Sequence, residues 1–121
     1  NERLFQNKRL QDTDYAKMMV QSKVSINTLS PIKLISPRYF ETMSASSILF
    51  CEKSERYKDI IDIKYIVDFN SSLDNFDEKL KHAMLKSKDK LFLYEMKNYV
   101  KEKHTWKVRI NFLIEHINKI L

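Results

Sequence analysis

The chain has 121 residues, 43% of them apolar and 31% charged. That length suits one domain, and the balance fits a folded globular protein and excludes a disordered one. Lys and Arg total 22 against 16 Asp and Glu, a net charge of +6. The excess suits nucleotide phosphate, nucleic acid or an acidic membrane face, although a solvated Lys-rich surface is the better explanation of it.

Glycine is absent, so a glycine-rich phosphate loop is excluded and tight turns fall to Asn, Asp or Ser. Cys51 is the only cysteine, which rules out an intrachain disulfide and weakly favours a reducing compartment. It ends an apolar run as a small buried hydrophobe, with no His near it in sequence to make it a nucleophile. No apolar run approaches the roughly 18 residues of a membrane span. The start, Asn1-Glu2-Arg3-Leu4-Phe5, lacks the basic region and apolar core of a signal peptide. A cytoplasmic location is expected. The first residue is not Met, so the chain reads as cut from something longer.

In chain order, the segment from Asn1 to Gln11 is polar and aperiodic. Thr13 is expected to cap a helix over Asp14 to Ser22, with Tyr15, Met18 and Met19 facing a core. Lys23 to Thr28 reads as a short strand, followed by a loop through Pro31 to Ser36. A helix opening near Pro37 leads into Ser47-Ile48-Leu49-Phe50-Cys51, a continuous apolar strand of the kind found in covered parallel sheets. A short helix is expected over Lys53 to Ile61, and a third strand over Lys64 to Val67. Three helices close the chain: Leu73 or Asp74 to Lys86 with Phe76, Leu80 and Met84 inward; Lys88 to Lys103, capped by Ser87, with Leu91, Phe92, Met96 and Val100 inward; and Trp106 to Leu121, capped by Thr105, with Ile110, Leu113, Ile114, Ile117 and Leu121 inward. This alternation is a βαβ order. It predicts an α/β fold: a small Rossmann-like parallel sheet flanked by helices, with a helical C-terminal segment.

The most informative stretch runs from Ser36 through Pro37, Arg38, Tyr39, Phe40 and Glu41 to Phe50. It sets a hydroxyl and a guanidinium at a helix start, where free N–H groups attract phosphate. Glu41 follows within the first turn and can accept hydrogen bonds from ribose hydroxyls. Ligands of open parallel sheets sit beyond the carboxyl ends of the strands. That rule gathers Asn27, Thr28, Ser36, Arg38 and Glu41 at one crevice, and Tyr39 can stack on a base. Each has a plainer alternative: Glu41 as an acid favoured by the helix dipole, Arg38 as a surface cation, Phe40 as core. His104 suits a helix–helix corner, with Thr105 as cap and Trp106 packed on the core. The Lys-rich helix from Lys86 to Lys103 is interrupted by Asp89, Glu95 and Glu102 and reads as a solvated face. His82, His104 and His116 are far apart, so no metal spacing is visible.

The order of these residues resembles the C-terminal half of a GT-B glycosyltransferase, more narrowly the group-1-like family that includes spore-maturation-type enzymes. Arg38-Tyr39-Phe40-Glu41 with its following strand, and His104-Thr105-Trp106 with Arg109, carry the likeness, which spans about Asp12 to Leu121. It implies a single nucleotide-sugar-binding domain over residues 1–121 that needs an N-terminal GT-B domain for its acceptor site and base. The isolated chain is then not expected to turn over. The resemblance further implies that Glu41 holds the donor ribose. Arg38 and the N–H groups around it would hold the diphosphate and stabilise the leaving group's charge, without a metal or other cofactor. The donor would be a nucleotide-diphosphate sugar, and the acceptor a saccharide, lipid or protein. Two positions depart from the family pattern: Ser46 stands where the family has Gly, and Lys33 where many retaining relatives have Glu. Those departures leave open a non-catalytic nucleotide-binding or regulatory module. The charge leaves open a basic nucleic-acid-binding or assembly protein, which strong salt dependence of binding to generic DNA or RNA would reveal.

Overall fold

The computed structural model describes residues 11–32 and 35–121. Residues 1–10 and Lys33 therefore lie outside the described residues. Helix α1 spans Asp12–Gln21, strand β1 Val24–Asn27, helix α2 Arg38–Ser44 and strand β2 Ile48–Glu52. Strand β3 spans Ile66–Phe69, followed by helices α3 (Phe76–Lys86), α4 (Lys90–Lys103) and α5 (Trp106–Ile120). The three strands form one parallel sheet in the order β1-β2-β3. The architecture is the α/β, Rossmann-like arrangement that the βαβ order predicts.

The central strand explains its own sequence. Ile48, Leu49, Phe50 and Cys51 are all fully buried, because helices cover both faces of the sheet. Side chains alternate across a strand. Leu49 and Cys51 accordingly join Tyr39 and Met43 of α2 and Met96 and Val100 of α4 in one core. Ile48 and Phe50 join Val67, Phe69 and Ala83 in the other. On that second face Phe50, Phe69 and Phe76 form a triangle of rings with centroids 4.8, 5.1 and 5.2 Å apart.

Ser46 shows how a chain without glycine ends a helix. Its φ is 58°, the left-handed conformation that favours glycine after a helix. The backbone N–H of Ser46 donates to Met43 O and that of Ser47 to Thr42 O, both at 3.1 Å. These are the two hydrogen bonds of a Schellman motif. Ser46 meets this demand at a conformational cost of about 1 kcal/mol.

Several expected boundaries move. Thr13 does not cap α1, which starts at Asp12 after Gln11 with no side-chain cap. Met18 is exposed and only Met19 of that helix is buried. The helix expected over 53–61 shrinks to one 3-10 turn, Tyr57–Asp59. There the Ser54 hydroxyl accepts from Arg56 N at 3.1 Å, and buried Tyr57 donates its hydroxyl to Asp68. The third strand begins two residues late because Asp62 caps a 3-10 turn over Ile63–Tyr65, accepting from Lys64 N at 3.1 Å. Helix α3 begins at Phe76, after Leu73 turns the chain with a φ of 63°. Its Met84, expected inward, is exposed. Asp89, not Ser87, caps α4 by accepting from Phe92 N at 3.1 Å. Ser87 instead donates to Met84 O at 2.6 Å. Leu91 of α4 is exposed.

The largest correction concerns α5. Thr105 caps it as expected, accepting from Val108 N at 3.2 Å. Yet no residue of α5 is buried, and Ile110, Leu113, Ile114, Ile117 and Leu121 all face solvent. The helix leaves the sheet after His104, and its described contact with the body is at its start, where Arg109 lies over Phe40. Trp106, expected on the core, is 71% exposed.

Candidate functional site

The expected crevice takes the form of an open trough, about 1160 Å³ in volume, between α1, β1 and α2. It runs along β1, the edge strand, and not only beyond the strand ends. Asn27, Ser36, Arg38 and Glu41 line it together. Ser36 fixes the start of α2, its hydroxyl accepting from Arg38 N at 3.3 Å. Arg38 therefore leaves the loop at the first helical residue, and Glu41 follows within the same turn. Both side chains are exposed to solvent.

Tyr15, expected to face the core, is instead half-buried at the wall of the trough. From α1 it reaches across the trough and donates its hydroxyl to Glu41 Oε2 at 3.1 Å. Partial burial, together with the hydrogen bond and negative charge of Glu41, pushes the Tyr15 phenol above its usual range. It therefore stays a donor at neutral pH. The pairing joins residues 26 apart in sequence, so no local pattern could have marked it.

The other expected site residues divide. Asn27 is almost wholly buried, 4% exposed, and its amide donates long hydrogen bonds of 3.5 Å to Ser25 O and Thr42 Oγ1. It ties β1 to α2 at the floor of the trough. Thr28 is exposed but is not among the described residues lining it. Tyr39 is 1% exposed and packs in the core against the sheet, so its ring is covered where base stacking was expected. The reason is helical geometry: Tyr39 and Met43 lie four residues apart on the face of α2 turned to the sheet. The Tyr39 hydroxyl has no hydrogen-bond partner among the described residues. Burial, helped by the neighbouring Cys51 and Glu52 groups, raises its pKa to about 12.

Beyond the strand ends lies a separate hollow of about 630 Å³ between the loop after β1 and the ends of β2 and β3. Glu52 Oε2 accepts from Leu29 N at 3.0 Å there and anchors that loop. Behind it Cys51 is buried, and desolvation, with the nearby Asp68 charge, pushes its thiol up to about 12. Such a thiol is inert as a nucleophile.

On the far side of α2 is a third hollow, where His104 stacks on Phe40 with centroids 4.7 Å apart and bonds the Tyr99 hydroxyl at 2.9 Å. Burial, with the Arg109 charge, lowers the His104 pKa. Among the described residues no three His, Cys, Asp or Glu side chains gather as a metal-binding group, and no helix is long and apolar enough to cross a membrane.

The α/β body thus carries an Arg and a Glu on the first turn of the helix after its edge strand. The sequence profile of a family described as glycosyl transferase-like matches residues 2–115. The chain belongs to this glycosyl transferase-like family. No curated protein and no solved structure matches it.

Proposed function

We propose that this chain is the donor-binding half of a GT-B glycosyltransferase, a single domain that takes a nucleotide-diphosphate sugar in the trough between α1, β1 and α2. Glu41, held by Tyr15, accepts from the ribose hydroxyls. Arg38 meets the diphosphate and counters the negative charge that grows on it as the glycosidic bond breaks. A guanidinium suits this role because it stays protonated and binds phosphate oxygens in pairs. The acceptor, a saccharide, lipid or protein, is brought by an N-terminal domain, and no metal is needed. The observation that carries this reading is the convergence of Arg38 and Glu41 on one trough in a chain matched to its family over residues 2–115.

The test is thermal unfolding with a panel of nucleoside diphosphates and their sugars. A ligand at 100 times its dissociation constant adds about 2.7 kcal/mol, several degrees for a domain of this size. The expected outcome is a shift with one nucleotide class that disappears in Arg38→Ala. No shift with any nucleotide, or an equal shift in the variant, overturns the assignment.

A further inference from the structure

Three basic side chains converge where α2, α4 and the start of α5 meet. The pocket there, about 460 Å³, falls within the range of small-molecule sites. Lys97 and Lys101 stand one turn apart on α4, and Arg109 faces them from α5. The Arg109 guanidinium lies 4.5 Å from the Phe40 ring centre and 5.7 Å from that of Trp106. Among the described residues none of these three cations is in an ion pair. A guanidinium beside two rings still carries five N–H donors, which suit a planar anion. Trp106 stands 71% exposed at the mouth, an amphipathic ring with an open apolar face. Among the described residues the only carboxylate on the wall is Glu41, which accepts hydrogen bonds and suits hydroxyl groups.

We propose that this pocket binds an acidic saccharide, a sugar ring bearing a carboxylate or a phosphate. The ring stacks its C–H face on Trp106, its hydroxyls donate to Glu41, and its anionic group meets Lys97, Lys101 and Arg109. The pocket lies across α2 from the trough and shares Glu41 with it. Arg38 lines only the trough, whereas Lys97 and Lys101 line only the pocket. The two readings share Glu41, and variants at Arg38 and at Lys97 with Lys101 test them separately.

Trp106 is the sole tryptophan of the chain, so its fluorescence reads this pocket directly. The chain is titrated with a hexuronate disaccharide, a hexose 6-phosphate, a neutral disaccharide and a nucleoside monophosphate. The expected result is a saturable change with one or both acidic sugars, whose identity separates carboxylate from phosphate. Affinity should fall at least tenfold in Lys97→Gln/Lys101→Gln, both exposed positions, and persist in Arg38→Ala. Absence of saturation with both acidic sugars overturns the proposal. Equal binding of the neutral disaccharide, tighter binding of the nucleotide, or loss in Arg38→Ala also overturns it.

Discussion

Strand β2 and helix α5 both carry apolar residues that the sequence turns toward a core, and they meet opposite fates. Four consecutive residues of β2 are fully buried, whereas α5 buries none. The difference is one of neighbours. Strand β2 lies between two strands, with α2 and α4 over one face and α3 over the other. Helix α5 departs from that body after its first turn. An apolar period reports which face of an element shuns water, but not whether the same chain covers it.

The sharpest way to break this contrast is Phe50→Ala. It removes one corner of the ring triangle and should cost about 3–5 kcal/mol, read as a lower denaturant midpoint at unchanged slope. A loss below about 1 kcal/mol would mean that the second core collapses easily around the gap.

An intermediate effect is expected at the joint between the two regions. His104 titrates below its ordinary 6.5 because burial and the Arg109 charge disfavour its proton. As pH falls below about 6.5, the unfolded chain takes up that proton more readily than the folded one, so stability declines toward acid. The unfolding temperature should fall more steeply between pH 7.5 and 5.5 in the native chain than in His104→Gln. Parallel profiles would remove His104 as the cause.

The smallest effect belongs to α5. Ile114→Ala should change stability by no more than about 0.5 kcal/mol, as surface substitutions do. A loss of several kcal/mol would show that this face is covered in solution.

The same contrast explains how much was legible beforehand. The parallel sheet, the burial of β2 and the Thr105 cap follow from local signals: a continuous apolar run and a hydroxyl before a helical period. The late start of β3 turned on whether Asp62 would cap a 3-10 turn, a competition between nearby residues that periodicity does not weigh. In the site, Ser36, Arg38 and Glu41 were legible as neighbours because they lie close in sequence around one helix start. Tyr15 was not, because its partner lies on another helix. Tyr39 was misjudged because chemistry was weighed before helical phase, and the phase turned it inward.

The strand order has a kinetic consequence. Each strand of the sheet pairs with its nearest neighbour in sequence. Yet each pairing is parallel and must first close a crossover, setting Val24 opposite Ile48 and Leu49 opposite Ile66, and such non-local pairing is intrinsically slow. The sheet and its covering helices can assemble progressively from the β1–β2 pair outward. Helix α5, joined only at its start, can form without waiting for them.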